Sequence, residues 1–253
     1  MAQERWRFND VSYASNTTLT RDGTSYHILT NVTNGDLSTT TSSWEGSRAL
    51  IAKTSGNGAR FRLANNTGDL GALYPPTKTY YADFLWYINS SETNGNFWNL
   101  FLTGNDASLH YSWLNCSKNS SGNYEFKIQS WDQVSAVVTT HATLSTTQAC
   151  GSWVRLNIKI NPICVERIRF WNAAAVATMD SNGTNENATY TNSTEMYPVT
   201  TFGWGVEWTN LVFCSGDASA TTARVDDLLF GDTESLTRGS GSGGTSYAGI
   251  IPI

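Results

Sequence analysis

One stretch of the chain decides its fold class, because apolar and polar residues alternate in it without a break: Trp153-Val154-Arg155-Leu156-Asn157-Ile158-Lys159-Ile160. Successive side chains of a β-strand point to opposite faces of a sheet. The stretch is therefore predicted to be a strand whose apolar residues face a core. Its polar residues, Arg155, Asn157 and Lys159, are predicted to face water.

The next segment repeats this pattern after a turn at Asn161 and Pro162. Its alternation predicts two faces, with Cys164, Glu166, Ile168 and Phe170 on one and Val165, Arg167, Arg169 and Trp171 on the other. Two alternating segments joined by a short turn are typical of a β-hairpin. The hairpin is predicted to run from residue 153 to residue 171.

Further segments along the chain have the same period of two, and polar clusters separate them. The predicted strands are 5–8, 49–53, 59–63, 80–88, 97–103, 108–114, 124–131, 202–214 and 223–230. One helical turn is predicted at 69–73 and a long irregular loop at 180–195. This many strands with short connections predict an all-β fold, a two-sheet antiparallel jelly-roll sandwich.

Composition agrees with this fold class and restricts the partners. Charged residues make up 15% of the 253-residue chain, against roughly a quarter in ordinary soluble domains, and Thr, Ser, Asn and Gly take their place. A net charge of -5 argues against nucleic acid, which selects basic surfaces. No apolar run is long enough to cross a membrane, and the charged start predicts synthesis in a cytoplasm.

Four cysteines, Cys116, Cys150, Cys164 and Cys214, have no zinc-binding or redox spacing. Buried free thiols are the favoured interpretation, because free cysteine is among the most buried residue types. Two disulfides remain the alternative. No metal and no cofactor is predicted.

The order of features resembles the concanavalin A-like, or laminin G-like, jelly rolls. Three short pieces carry the resemblance, which covers roughly residues 5–232: Gly46-Ser47-Arg48-Ala49-Leu50, Trp153-Val154-Arg155-Leu156 and Arg224-Val225-Asp226-Asp227-Leu228-Leu229. Composition and the Gly/Ser run predict one sandwich domain, residues 1–231, followed by a flexible arm, residues 232–253.

The end of the chain is similar to the endings of laminin G-like structural proteins of tailed bacteriophages. The paired aspartates are followed by Gly231-Asp232-Thr233, a Gly/Ser run and Ser246-Tyr247-Ala248-Gly249-Ile250-Ile251-Pro252-Ile253. The resemblance implies a virion structural protein made in the host cytoplasm. Such a protein would be a capsid decoration or tail-associated subunit that contacts other virion proteins and further copies of itself.

The sequence contains neither of two catalytic patterns that occur in related folds. Glycosidases of this superfold carry closely spaced carboxylates on one strand, whereas Glu207 has no acidic neighbour two residues away. His27, His110 and His141 do not occur in the Gln-x-His pattern of polysaccharide lyases. The chain is therefore expected not to be an enzyme, with a polysaccharide-degrading enzyme as a weaker alternative.

The pair Asp226-Asp227 invites a calcium interpretation, because hard cations take several carboxylate oxygens. Side chains next to each other on a strand point to opposite faces, so at most one of the two could serve a given ion. The favoured interpretation is that they accept hydrogen bonds from neighbouring loops or pair with Arg224.

Tryptophans supply the candidate binding residues. In a strand, Phe202, Trp204, Val206 and Trp208 would share one face, and indole faces suit stacking on sugars. Trp171, Trp204 and Trp208 are the predicted carbohydrate-binding residues of a lectin-like module for host-surface glycans. The favoured interpretation of the strip from Phe202 to Trp208 is nevertheless that its indoles belong to the sandwich core.

The arm supplies the candidate assembly residues. A flexible Gly/Ser segment at 239–244 is followed by four apolar residues: Tyr247, Ile250, Ile251 and Ile253. These residues are predicted to dock on a neighbouring subunit, because a partner can supply the groove or sheet edge that orders such a segment. A frayed terminus is the alternative.

Overall fold

The computed structural model describes residues 4–6, 19–21, 24–33, 35–40, 44, 49–54, 60–65, 79–105, 110–132, 134–161, 164–177, 186–191, 211–215 and 221–234. The strands are Glu4–Trp6 (β1), Leu19–Arg21 (β2), Thr24–Thr33 (β3), Gly35–Thr40 (β4), Ala49–Thr54 (β5), Arg60–Asn65 (β6), Tyr80–Ile88 (β7), Phe97–Asn105 (β8), His110–Lys118 (β9), Asn123–Asp132 (β10), Val137–Ala149 (β11), Val154–Asn161 (β12), Cys164–Trp171 (β13), Ala188–Thr191 (β14), Leu211–Ser215 (β15) and Thr221–Gly231 (β16). One short helix, α1, spans Ala173–Ala177.

The strands form two eight-stranded sheets in which every described pairing is antiparallel. Sheet A has the order β14-β13-β12-β7-β16-β5-β4, and β1 pairs with β16. Sheet B has the order β11-β10-β9-β8-β15-β6-β3-β2. The predicted all-β sandwich of two antiparallel sheets is confirmed.

The main core lies between the two sheets and is rich in aromatic rings. Trp86 of sheet A meets Trp98 of sheet B edge to face, with ring centroids 6.0 Å apart. Phe126 and Phe170 make a second contact between the sheets at 5.6 Å. Burial of each such ring stabilises the fold by about 2–3 kcal/mol, so these contacts hold the sheets face to face.

Strands β12 and β13 form the predicted hairpin. Their pairing changes register beside Lys159, which leaves Glu166 as an extra residue in β13. A bulge of this kind shifts the alternation by one residue, so that side chains beyond it point to the face opposite to the one that strict alternation predicts. Val165 therefore lies in the core with Ile168, each 1% exposed, and the prediction that they occupy opposite faces was wrong.

Several strands were not predicted, namely β2, β3, β4, β11 and β14. Strand β14 lies inside the segment 180–195, so the prediction of an irregular loop throughout that segment was wrong. The predicted helical turn at 69–73 lies outside the described residues. No helix in the described part of the chain is long and apolar enough to cross a membrane.

Candidate functional site

The face of sheet A that points away from the core carries charged, polar and aromatic side chains, and it is called the outer face here. Register places its side chains in rows across the strands β16, β7, β12 and β13. The members are Tyr81, Asp83, Leu85, Tyr87, Trp153, Arg155, Asn157, Lys159, Arg167, Arg169, Trp171, Arg224, Asp226 and Leu229.

At the centre of the outer face, Arg155 binds Asp83. The guanidinium donates from Nε and Nη2 to the carboxylate oxygens at 2.9–3.1 Å. Asn157 donates to Oδ2 of the same carboxylate at 3.0 Å and accepts from Arg167 at 3.1 Å. Arg155 and Asn157 are 0% exposed, so the prediction that they face water was wrong.

Trp171 lies beside this ion pair. The guanidinium carbons of Arg155 and Arg169 lie over its indole, 4.4 Å and 5.2 Å from the ring centroid. The indole is 0% exposed and belongs to a small second core with Leu85 and the helix α1. The structure therefore places this predicted carbohydrate-binding residue in the interior, where its ring offers no free face.

A second group of charges lies toward the start of β13. Arg167 and Arg169 both donate to the carboxylate of Glu234, which follows the end of β16, and Arg169 also donates to Glu186. This arrangement of two arginines around Glu234 is called the arm clamp here. It fixes the described beginning of the arm to sheet A.

At the same end of the sheet, Lys159 donates to Glu166 at 2.5 Å. This hydrogen bond raises the pKa of Lys159 above its ordinary value. The half-buried rim of the outer face is thus occupied by charges that already have partners.

The opposite end of the outer face is aromatic. Tyr87 and Trp153 have ring centroids 5.4 Å apart, and the guanidinium of Arg224 lies over the Tyr87 ring at 4.6 Å. Trp44 packs, like Trp153, against the small second core. All four side chains are partly exposed, and together they are called the aromatic edge.

Asp226 and Asp227 lie next to this edge. Asp226 is 0% exposed and accepts hydrogen bonds from the backbone N–H of Trp44 and of Asp227, both at 2.8 Å. Asp227 has a φ of +45° at a bulge in β16, a conformation that non-glycine residues rarely adopt. The predicted role of Asp226 as an acceptor for a neighbouring loop is confirmed. Among the described residues no cluster of acidic, histidine or cysteine side chains could hold a metal ion.

The two described cysteine thiols are free and buried, at Cys116 and Cys150. Burial raises the pKa of Cys150 to about 12 and that of Cys116 well above its ordinary value. Both thiols are therefore protonated and unreactive at neutral pH. The side chains of Cys164 and Cys214 lie outside the described part of the chain.

The remaining predicted site residues lie outside the described residues: Trp204, Trp208, Tyr247, Ile250, Ile251 and Ile253. The ion pair at the centre of the outer face was not predicted from the sequence. Its one signal was Asp83, an acidic residue inside the otherwise apolar and aromatic strand β7.

Comparisons with known proteins extend only to the fold. No protein-family model matches the chain, and no curated protein matches its sequence. Among solved structures, it is similar to a protein of unknown function from Shewanella oneidensis MR-1. The TM-score is 0.55 at 16% identity, with 94% of this chain and 89% of that chain covered.

The chain is also similar to the binding domain of botulinum neurotoxin DC, solved with SialylT and with rat synaptotagmin II. For both complexes the TM-score is 0.50 at 12% identity, with 89% of this chain and 49% of that chain covered. The chain thus spans about half the length of that binding domain. At these identities the likeness shows a shared β-sandwich fold.

Proposed function

We propose that the chain is a non-enzymatic structural subunit of a tailed-phage virion, on the capsid surface or in the tail. Contacts with other subunits hold it there, and its arm, residues 232–253, makes some of them. One observation carries the proposal: the beginning of the arm is fixed to the sandwich. Glu234 accepts hydrogen bonds from both Arg167 and Arg169, shortly after β16 ends at Gly231.

A docking arm needs a fixed base, because a mobile base would have to be ordered when the far end binds, and this ordering costs conformational entropy. Strand β16 lies inside sheet A between β7 and β5, and the arginines of the clamp come from β13. Tension on the apolar end of the arm would therefore pass into two separate strands of the sheet. The clamp is partly buried, so salt screens it less than an exposed pair.

The absence of an enzymatic role is also part of the proposal. A general acid or base must reach the substrate with a free oxygen or nitrogen. The carboxylate of Asp83 is instead enclosed by Arg155 and Asn157. A carboxylate whose two oxygens already accept these hydrogen bonds suits a structural role.

Removal of residues 235–253 tests the proposal. The truncated chain is expected to melt near the wild-type temperature, because the clamp and sheets remain. Its amount in purified particles is expected to fall to less than a tenth of the wild-type amount, measured by quantitative mass spectrometry. Normal incorporation of the truncated chain would refute the role of the arm.

A matched pair of variants tests the clamp separately. Glu234→Ala releases the beginning of the arm, whereas Glu186→Ala removes another carboxylate partner of Arg169 and leaves the arm in place. Incorporation is expected to decrease for the first variant and to stay near wild type for the second. Equal losses of incorporation for the two variants would mean that the arginines contribute only to the stability of sheet A and not to the placement of the arm.

The lectin-like alternative on Trp171, Trp204 and Trp208 is weakened at its first residue, because the ring of Trp171 is enclosed. For Trp204 and Trp208 it stays a prediction, which glycan-array binding by Trp204→Ala and Trp208→Ala variants tests. The polysaccharide-degrading alternative likewise stays a prediction, tested by oligosaccharide release.

A further inference from the structure

We propose that the aromatic edge, formed by Trp44, Tyr87, Trp153 and Arg224, is a carbohydrate-binding site that stacks a pyranose ring of a surface glycan on the indole of Trp153. This site lies away from the arm clamp, and its function does not depend on the arm. It also differs from the tryptophans that the sequence pattern selected.

The composition of the edge fits a sugar. A pyranose presents an apolar C–H face that stacks on an aromatic ring and hydroxyl groups that need polar partners at its rim. Here the rings of Trp153 and Tyr87 lie next to each other, and the guanidinium of Arg224, a charged polar group, lies over the Tyr87 ring. The neighbouring aliphatic residues Leu85 and Val176 are buried, so the exposed part of the edge consists of aromatic rings and a guanidinium.

Trp153 is held in place before any ligand arrives. The N–H of Gly151 donates to the carbonyl of Ile88 at 2.9 Å. The hydroxyl of Tyr124 donates to the carbonyl of Ser152 at 2.8 Å and accepts from the N–H of Ile88 at 2.9 Å. These bonds fix the main chain that precedes Trp153, and the ring itself packs against Tyr87 and the small second core, so less conformational entropy is lost when a ligand stacks on it.

Trp44 is held in a similar way from the other side of the edge. Its N–H donates to the buried carboxylate of Asp226, whose other oxygen accepts from Asp227 in its left-handed conformation. Backbone strain of this kind occurs preferentially near functional sites. Both tryptophans of the edge are therefore anchored through their main chain and keep part of their side chains exposed.

Glycan-array binding followed by titration of intrinsic fluorescence tests the proposal. The array includes neutral hexose oligosaccharides, N-acetylated oligosaccharides and sialylated oligosaccharides, with the full-length chain as the probe. Wild type is expected to bind at least one class. Trp153→Ala is expected to weaken that binding at least tenfold, and Trp153→Phe, which keeps a ring, by less.

The matched control is Tyr81→Ala, which removes a partly exposed ring from the same strand and face as Tyr87 at the far end of the outer face. It is expected to bind like wild type. The proposal is overturned if wild type binds no glycan on the array, or if Trp153→Ala and Trp153→Phe both bind like wild type. Because the chain truncated after Glu234 keeps this edge, its glycan binding is expected to be normal even where particle incorporation fails.

Discussion

Outward side chains at the centre of sheet A and outward side chains on β11, the edge strand of sheet B, differ in their exposure. On sheet A, Arg155 and Asn157 point away from the core and are still 0% exposed. On sheet B, Thr143 and Ser145 point outward from β11 and are exposed. The difference comes from what lies above each sheet: the helix α1 and Trp44 cover part of sheet A. Alternation along a strand selects a face, and the neighbouring chain decides whether that face meets water.

The largest loss of stability is expected from breaking the buried ion pair of sheet A, compared with a partly exposed ion pair of sheet B. Arg155→Ala leaves the buried Asp83 carboxylate without its cation, which costs about 3–5 kcal/mol of unfolding free energy. Lys127→Ala removes a partly exposed partner of Glu125 on sheet B and costs less than about 1 kcal/mol. Urea unfolding measures both values, and equal losses would contradict the contrast.

A double variant sharpens the same comparison. Replacing both buried partners, as in Asp83→Leu with Arg155→Met, removes the uncompensated charge together with the ion pair. It is expected to destabilise the chain less than Arg155→Ala alone, because apolar pairs often replace buried ion pairs at little cost. A larger loss in the double variant would mean that Asn157 and Arg167 depend on the carboxylate.

The next effect concerns the buried ammonium of sheet B. Lys118 is 7% exposed, and its Nζ donates to the carbonyls of Ser90 at 2.7 Å and Glu92 at 2.6 Å. Lys118→Met keeps the length of the side chain and removes both bonds, with an expected cost of about 1–3 kcal/mol. The control Lys127→Met should stay close to wild type in the same urea titration.

A smaller effect is expected at the one described tryptophan that is buried on the outward side of sheet B. Trp113 donates from its indole to Gln129 at 3.0 Å, and Gln129 donates to Thr140 at 2.9 Å. Gln129→Ala removes the acceptor and is expected to cost about 1 kcal/mol, with a red shift of the fluorescence emission. Thr140→Val removes only the hydrogen bond from Gln129 to Thr140. A loss of stability as large as that of Gln129→Ala would mean that the hydrogen bond from Trp113 to Gln129 contributes nothing.

The smallest effect depends on pH. His141 lies 2.7 Å from the hydroxyl of Ser130 through Nε2, and burial lowers its pKa below 6.5. As pH falls, the unfolded chain therefore binds this proton before the folded chain does. The stability that the neutral imidazole contributes to the fold is fully present above pH 6.5, and it is lost as pH falls from 6.5 through the folded pKa. His141→Asn should flatten this acid slope in urea titrations between pH 7 and pH 5, and an unchanged slope would exclude His141 as its source.

Much of the fold could be predicted from period-two alternation. The hairpin of β12 and β13 and the strand β7 were found because their apolar residues alternate with polar ones or run together. Strand β11 was overlooked because Thr and Ser dominate its sequence, VVTTHATLSTTQA, and leave little apolar pattern. The bulge at Glu166 was also missed, since it arises from pairing with β12 and has no local signature.

The candidate site was harder to predict than the fold. Alternation correctly placed Arg167, Arg169 and Trp171 on one face, but it gave no measure of what covers that face. Asp83 and Arg155 are far apart in the sequence, and their pairing depends on β7 lying beside β12. The aromatic edge likewise combines side chains from separate strands and from the segment at Trp44, none of which forms a motif by itself.

The sequence by itself determined that the chain is a β-sandwich, because side-chain alternation and turn composition are local properties that act in any strand. It also determined that the arm ends in apolar residues after a Gly/Ser segment. Only the tertiary structure decided that Arg155 and Asn157 of β12 are buried, that two arginines hold Glu234, and that Trp153 is partly exposed where Trp171 is enclosed. These outcomes depend on which strands become neighbours and on what packs over them, and neither is encoded in a local pattern.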